Sequence, residues 1–319
     1  MIKLLILFVV FVYNQISWSL DICGHRGARG LAPENTLEGF AVALKYPIDC
    51  IDMDVTLTKD NEVVLYHDLF LNPDITRDHK NHWIKHSRPI KELNLHELQT
   101  YNVGQINPHS RYALKFPKQK SYHTAKIPTL AQALTFIQKH ASPNIRIQIE
   151  LKTDPIAPPA QKLVAAVEHL ISQQHLEART KIQAFDWRCL QLLQKRNPHI
   201  QTAYLTEQKK EYLMQTGLWT AGYLLKDYGY SIPKMINALH GTYWDAEDVQ
   251  LNRKNISQAH LLGLKVYAWS NTPKKKGGYL KAMQQLIEDD VDGIITDRPD
   301  LLLKLRQSKP LSHALEKHA

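Results

Sequence analysis

Apolar and polar residues alternate in short runs along most of the chain, and longer stretches with helical spacing separate these runs. Alternation with a period of two predicts β-strands, and apolar residues three or four positions apart predict amphipathic helices. The predicted strands are 21–24, 50–58, 62–67, 145–151, 181–184, 201–205, 222–225, 241–244, 265–269 and 293–295. The predicted helices are 35–45, 93–98, 130–140, 159–174, 187–196, 249–262 and 279–289. Strands that alternate with helices in this way form a parallel sheet.

Residues 69–127 interrupt the alternation. They are polar, rich in His, Asn, Lys and Pro, and only weakly periodic, with one small helix near 93–98. We therefore expect an insertion there. The number of strand–helix units outside it favours a closed (β/α)₈ barrel over a doubly wound sheet. The sequence contains neither a GxGxxG run nor a P-loop, so a nucleotide-binding sheet is not supported.

The two ends of the chain differ from the rest. After Lys3, residues 4–12 are uncharged and apolar, and Ser17 and Ser19 supply the small residues of a cleavage site. This pattern predicts a signal peptide at 1–19 and export to the periplasm or the medium, with an uncleaved membrane anchor as the alternative. We expect the barrel domain at 20–308 and a polar tail at 309–319.

The composition limits the classes of binding partner that we expect. The formal net charge of the 319 residues is +9, but Lys and Arg are scattered and no nucleic-acid motif is present. We therefore expect no nucleic-acid partner. The charge favours either a solvated surface or an anionic substrate and peripheral membrane contact. Cys23 and Cys50 lie in apolar runs, and with Cys189 they make an odd count, so we expect buried free thiols.

Carboxylates occupy one face of a predicted strand. In 51–57 the odd positions are apolar, and the even positions include Asp52 and Asp54. Side chains two residues apart share a strand face, so these carboxylates repel each other unless a cation lies between them or one is protonated. A solvent-facing edge strand is the alternative.

A second strand follows the same pattern. In 145–152, Glu150 and Lys152 come at the carboxyl end, which is the end where barrel enzymes place their active sites. Two strands that each bring carboxylates to one rim favour a shared metal. Because all the ligands are oxygens, we expect one divalent cation, Mg²⁺ or Ca²⁺.

A histidine lies at the carboxyl end of each of two predicted strands: His25 in 23–27 and His67 in 63–68. A strand-end histidine on the carboxylate rim is placed for general acid or base catalysis. Arg26 offers a planar fork of donors that suits a phosphate. Asp68 either orients His67 or caps the turn.

These residues carry a family resemblance. The run from Gly24 to Phe40, GHRGARGLAPENTLEGF, closely resembles the opening signature of the glycerophosphodiester phosphodiesterases. The insertion is similar to that of the bacterial secreted branch, through 101–104 and 108–112. The later matching blocks, in order, are 51–60, 64–68, 149–152, 185–187, 267–271 and 292–299.

The resemblance implies a TIM barrel with a small insertion after the second barrel strand. It implies that His25 and His67 are the acid–base pair, that Arg26 binds phosphate, and that the metal ligands are Asp52, Asp54 and Glu150. The resemblance also places four residues in or beside the substrate pocket: Glu34, Lys152, Phe185 and Trp269.

Two positions depart from the family pattern. The family usually has Glu where this chain has Asp52, and the shorter side chain puts metal preference in doubt. Asn61 replaces a common Gly, and Asn tolerates the left-handed backbone that this turn needs.

The implied activity is metal-dependent hydrolysis of glycerophosphodiesters, such as glycerophosphocholine or glycerophosphoethanolamine, to sn-glycerol 3-phosphate and an alcohol. One rival is a lysophospholipase D-like enzyme that acts on lysolipids. The other is a barrel that binds phosphate or lipid without catalysis.

Overall fold

The computed structural model describes residues 20–154, 157, 160–270 and 278–308. The predicted signal peptide and the predicted tail lie outside these residues. The strands are β1 (Asp21–Gly24), β2 (Cys50–Leu57), β3 (Val63–Leu65), β4 (Arg146–Leu151), β5 (Thr180–Ala184), β6 (Gln201–Thr206), β7 (Tyr243–Glu247), β8 (Lys265–Trp269) and β9 (Gly293–Thr296). The helices are α1 (Leu37–Ala43), α2 (Leu95–Leu98), α3 (Arg111–Lys115), α4 (Leu130–His140), α5 (Gln161–Gln173), α6 (Trp187–Arg196), α7 (Glu211–Thr216), α8 (Ile232–Ala238), α9 (Arg253–Leu261), α10 (Gly278–Glu288) and α11 (Pro299–Ser308).

Eight of these strands close into a parallel barrel. The order around it is β1, β2, β4, β5, β6, β7, β8 and β9, and β9 pairs with β1. Every strand after the first therefore follows a helix or the insertion, as a (β/α)₈ topology requires. Because all the strands run in one direction, their carboxyl ends meet at one rim, and this rim carries the predicted site residues.

Local chemistry fixes where the helices begin. Thr129 caps α4 and forms a capping box with Gln132, and Asn252 does the same for α9 with Asn255. Such side chains satisfy the free N–H groups of a first helical turn. The predicted helix 249–262 was therefore too long at its start, because the chain enters α9 only after the Asn252 cap.

The predicted strand 222–225 was wrong. Ala221 and Gly222 have positive φ values of 57° and 89°, which turn the chain, and Leu225 begins a 3₁₀ turn. The apolar run 222–225 still contributes to the core, because Leu225 is buried although it lies in this turn. In the same region, β7 starts two residues later than predicted, and α7 and α8 were not predicted.

The insertion packs on its own small core. β3 pairs antiparallel with β2 and lies outside the barrel, which agrees with an insertion after the second barrel strand. The turn between β2 and β3 includes Asn61, whose φ of 62° confirms the expected left-handed backbone. The buried apolar side chains of this small core are Val64, Tyr66, Leu71, Ile75, Ile90, Leu93, Leu98, Val103 and Ile127.

The cysteines correct one prediction. Cys23 and Cys50 are register partners on β1 and β2, and they form a disulfide rather than two free thiols. Their sequence separation of 27 residues gave no sign of this pairing. Cys189 is a buried free thiol, and burial raises its pKa to about 12.

No helix in the described part of the chain is both long enough and apolar enough to cross a bilayer.

Candidate active site

Three buried carboxylates meet at the carboxyl ends of β2 and β4. Asp52 and Asp54 point to the same side of β2, and Asp54 is the register partner of Glu150 on β4. Asp52 and Asp54 are each only 1% exposed, and Glu150 is 8% exposed. The structure therefore brings the three predicted metal ligands together in one buried group.

Two cations lie against this group. Lys152 Nζ is 2.6 Å from Glu150 Oε1 and 3.8 Å from Asp54 Oδ1. Arg26 Nε is 3.2 Å from Asp54 Oδ2, and Arg26 Nη1 donates to Glu34 Oε1 at 2.8 Å. The predicted phosphate ligand Arg26 and the predicted pocket residues Glu34 and Lys152 therefore all border the carboxylates.

Asp52 has no side-chain cation partner within ion-pair distance among the described residues. Its Oδ1 accepts a hydrogen bond from Gln183 Nε2 at 2.6 Å, and its Oδ2 accepts one from the Arg26 backbone N–H at 3.1 Å. Arg26 has a positive φ of 50°, which turns that N–H toward the carboxylate. The shorter Asp is thus held in place by two neutral donors.

The pKa values record the crowding of charge. Burial and the charge of Asp54 raise the pKa of Asp52 well above its usual range. Burial and Asp54 also raise the pKa of Glu150 to about 7, although Lys152 opposes the shift. Burial works against the ionised form of Asp54 as well, but Arg26 and His67 hold its pKa below its ordinary value.

Six charged residues of this site form what we call the rim cluster: Asp52, Asp54, Glu150, Glu34, Arg26 and Lys152. Their charge balance tests whether a divalent cation fits. The four carboxylates exceed the two cations by two negative charges, which agrees with two carboxyls whose pKa values are raised. No three His, Cys, Asp or Glu side chains among the described residues are arranged as a set of metal ligands, and Lys152 lies against Glu150. The oxygen donors and the surplus charge nonetheless fit a hard divalent cation.

His25 is held by a carboxylate from the far end of the chain. Its Nδ1 donates to Asp297 Oδ1 at 2.7 Å, and Arg29 donates to both oxygens of Asp297. Arg29 and His25 keep the pKa of Asp297 below its ordinary value in spite of burial. An ionised Asp297 requires the proton on Nδ1, which leaves Nε2 of His25 for chemistry.

His67 has the same kind of partner. Its Nδ1 donates to Asp68 Oδ1 at 2.6 Å, so Asp68 orients His67 as one of the two alternatives proposed. Burial and the nearby cations Arg26 and Lys152 lower the pKa of His67 to about 4. Burial and Arg29 lower the pKa of His25 as well. Burial therefore favours the neutral form of each imidazole, and His67 is neutral at pH 7.

A cleft of about 370 Å³ opens above these groups, large enough for a small polar ligand. Arg26, Glu34 and His67 line one side of it. The insertion closes the other side with Tyr112 and Phe116, and the Tyr112 hydroxyl donates to Glu34 Oε2. The insertion is therefore part of the wall of the site.

Phe185 and Trp269, the two predicted aromatic pocket residues, lie together. Phe185 directly follows β5, Trp269 ends β8, and their rings pack edge to face with centroids 5.8 Å apart. Trp269 is 7% exposed, and its Nε1 donates to the backbone oxygen of Asp245. Its ring is thus fixed in the barrel interior.

Sequence reasoning missed the residues that support the site: Asp297, Arg29, Gln183 and Tyr112. Asp297 lay in the matched block 292–299, which could have suggested a role, and Arg29 lay in the opening run. Tyr112 lay in the matched run 108–112 of the insertion. Gln183 carried no such signal, because only the fold brings it to Asp52.

The comparisons with known proteins agree with this geometry. A model of the glycerophosphoryl diester phosphodiesterase family matches residues 25–301. The chain belongs to this family. YhdW of Bacillus subtilis is 30% identical over 283 residues, covering 89% of this chain and 96% of YhdW. The glycerophosphodiester phosphodiesterase of Caldanaerobacter subterraneus is 26% identical over 291 residues, again covering 89% and 96%.

Solved structures of the family share the fold. A Silicibacter pomeroyi structure superposes with a TM-score of 0.81 at 28% identity, covering 91% of this chain and 93% of that chain. An Oleispira antarctica phosphodiesterase, solved with its product sn-glycerol-3-phosphate, has a TM-score of 0.66 at 20% identity over 92% and 98%. The predicted family, TIM-barrel fold and enzyme class, a phosphoric diester hydrolase, are confirmed. The roles of individual residues stay predictions.

Proposed function

We propose that this chain hydrolyses glycerophosphodiesters, such as glycerophosphocholine or glycerophosphoethanolamine, to sn-glycerol 3-phosphate and an alcohol. The observation that carries the proposal is one barrel rim that holds two carboxylate-paired histidines, a buried arginine and three clustered carboxylates. Membership of the family supports the substrate class. The Oleispira antarctica phosphodiesterase binds sn-glycerol-3-phosphate as its product, and we propose the same product here.

In the proposed reaction the two histidines act in opposite directions. One, in its neutral form, takes the proton of the attacking oxygen as that oxygen bonds to phosphorus. The other, protonated on both ring nitrogens, donates its Nε2 proton to the departing alcohol as the phosphorus–oxygen bond breaks. Each histidine presents Nε2, because its Nδ1 is held by Asp297 or Asp68. The lowered pKa of His67 keeps this imidazole neutral at pH 7, which a general base needs.

Arg26 and Lys152 are the proposed phosphate ligands. Arg26 is 4% exposed and ion-paired with Glu34, so its guanidinium is fixed before substrate arrives. A fixed cation stabilises charge that develops on the phosphate oxygens. Lys152 is free to follow the phosphate if its partner Glu150 takes up another cation.

A divalent cation, Ca²⁺ or Mg²⁺, is proposed at Asp52, Asp54 and Glu150. When bound there, it would polarise the phosphate and offset the two surplus negative charges of the rim cluster. Gln183 and the Arg26 backbone would keep Asp52 aimed at that ion.

Histidine variants test the proposed acid–base pair. His25→Ala and His67→Ala should each lower kcat for glycerophosphocholine by about 10²- to 10⁴-fold without changing the far-UV spectrum. His199→Ala, at an exposed histidine, is the matched control and should behave as the parent protein. Near-parental turnover in both site variants would defeat the assignment.

A panel of head groups tests substrate and metal together. We expect turnover of water-soluble glycerophosphodiesters that EDTA abolishes and that Ca²⁺ or Mg²⁺ restores. Faster turnover of lysolipids would favour the lysophospholipase D-like alternative. Tight binding without EDTA-sensitive turnover would favour the non-catalytic barrel.

We also propose that the protein is exported, as in the secreted bacterial branch, with residues 1–19 as its signal. The Cys23–Cys50 disulfide supports this proposal, because such bonds persist mainly in oxidising compartments. Peptide mass mapping of the native protein should find a mature N-terminus at Leu20 and one alkylated cysteine after denaturation. Three alkylated cysteines together with an intact Met1 would contradict the proposal.

A further inference from the structure

Beside the cleft, a lysine ammonium lies on the faces of two aromatic rings. Phe185 and Trp219 pack with ring centroids 5.6 Å apart. Lys210 Nζ is 4.0 Å from the centroid of Phe185 and 5.0 Å from that of Trp219. The same Nζ is 2.9 Å from Glu207 Oε2. We call Phe185, Trp219 and Glu207 the aromatic cage.

The chemistry of the cage is that of an ammonium site. The negative face of an aromatic ring attracts a cation within about 6 Å, and a nearby carboxylate adds to that attraction. Two ring faces and one carboxylate here surround a single ammonium. The cage therefore binds a cation already, and the cation is the side chain of Lys210.

Ordinary surface packing would look different. A lysine that only covers an apolar surface lays its methylene stem on that surface and keeps its ammonium in water. In the cage the ammonium itself is on the rings. In addition, Trp219 Nε1 is buried and has no hydrogen-bond partner among the described residues. An oxygen of a bound molecule would satisfy that donor.

The cage adjoins the catalytic cleft. Glu207 lines the cleft together with Arg26 and His67, and it also borders the smaller cavity that contains Phe185 and Trp219. Glu207 therefore belongs to the lining of both spaces, so the cage lies beside the cleft in which a phosphate at Arg26 would sit.

We propose that the aromatic cage binds the cationic head group of the substrate, a quaternary or primary ammonium such as choline or ethanolamine, and that Lys210 occupies the cage until the head group displaces it. The proposal rests on the proposed function and deepens it, because it makes the enzyme prefer cationic over uncharged head groups.

A binding test separates this proposal from the catalytic one. Tetramethylammonium chloride is titrated into the full-length protein, against KCl at the same ionic strength, and tryptophan fluorescence is followed. Removing the competing side chain in Lys210→Ala should tighten the apparent Kd roughly 2- to 30-fold, the range of one cation–π contact. Trp219→Leu should weaken it by a similar factor. Lys234→Ala, at an exposed lysine of α8, is the matched control.

Kinetics supply the second arm. The ratio of kcat/KM for glycerophosphocholine to kcat/KM for glycerophosphoglycerol should rise in Lys210→Ala and fall in Trp219→Leu. Unchanged ratios in both variants, or an unchanged Kd for tetramethylammonium, would overturn the cage. If no glycerophosphodiester is hydrolysed at all, the proposed function fails, and the fluorescence titration still decides for or against the cage.

Discussion

Two groups of charges lie inside this barrel, and they are built differently. The rim cluster has four carboxylates and two cations, so it carries surplus negative charge. Deeper in the barrel, Lys181 Nζ is 3.0 Å from Asp245 Oδ2, and both side chains are buried. This second group, the inner pair, is balanced and also lies against two aromatic rings, Tyr243 and Tyr267.

The difference separates a structural group from a functional one. A buried ion pair with matched charges and good contacts tolerates its desolvation, whereas surplus buried charge costs stability unless something offsets it. Two glutamines connect the groups, because Gln148 Nε2 contacts both Asp245 and Gln183, and Gln183 donates to Asp52. The inner pair thus anchors the position of Asp52, whereas the rim cluster has an imbalance that the proposed cation would offset.

The largest expected effect is on activity at the rim. Asp52→Asn removes one proposed metal ligand and one charge that burial and Asp54 disfavour, so kcat for glycerophosphocholine should fall about a thousandfold or more. Stability in EDTA should not fall, because the change relieves repulsion. Steady-state kinetics and urea unfolding measure the two quantities, with Asp227→Asn as the exposed control. Loss of both activity and stability would make the rim cluster structural.

The opposite result is expected at the inner pair. Lys181→Ala leaves Asp245 buried without its cation, which should lower the unfolding free energy by about 3–5 kcal/mol. The double variant Lys181→Met with Asp245→Leu should recover most of that loss. Urea unfolding with and without EDTA measures the effect, which we expect EDTA to leave unchanged. Full stability in Lys181→Ala would show that the two groups do not differ as described.

The link between the groups should have a smaller effect. Gln183→Leu removes the side-chain donor that holds Asp52 Oδ1, so affinity for Mg²⁺ or Ca²⁺ should fall roughly 10- to 100-fold, as for other residues that orient a ligand. Isothermal titration calorimetry of EDTA-stripped protein gives this affinity without relying on turnover. An unchanged Kd would show that Gln183 does not orient Asp52 for metal binding.

The last expected effect is a pH dependence. The pKa of Glu150 is raised to about 7 from an ordinary value of 4.5, so the folded state binds the extra proton between those values. Its contribution to stability is present below about pH 4.5 and is lost as the pH rises toward 7. In EDTA, Glu150→Gln should therefore become increasingly more stable than the parent protein across this window. A difference that is flat or shrinks with pH would contradict the raised pKa.

Strand alternation predicted that the central carboxylates of the rim cluster, Asp52, Asp54 and Glu150, lie together. The pattern in 51–57 put Asp52 and Asp54 on one strand face, and the structure aligns Asp54 with Glu150. Such pairs follow from the period of a strand and from the shared direction of parallel strands. The number of strand–helix units likewise predicted the barrel.

Strand periodicity and strand direction could not predict the residues that support the site. Asp297 reaches His25 across 272 positions, and Tyr112 reaches Glu34 from an irregular insertion with no periodicity to read. The disulfide has the same origin, since only the parallel pairing of β1 with β2 brings Cys23 beside Cys50. The false strand 222–225 failed for a local reason, because an apolar run of four residues does not distinguish a strand from a buried turn.

The central claim is that the surplus charge of the rim cluster is matched by a divalent cation. Thermal unfolding of EDTA-stripped protein, titrated with MgCl₂ and CaCl₂ against KCl at equal ionic strength, tests it directly. The parent protein should show a Tm that rises with the concentration of at least one of the two ions, because a ligand of the folded state stabilises it. Asp54→Asn should show no such rise. A parent Tm that neither ion changes, or the same rise in Asp54→Asn, would contradict the claim.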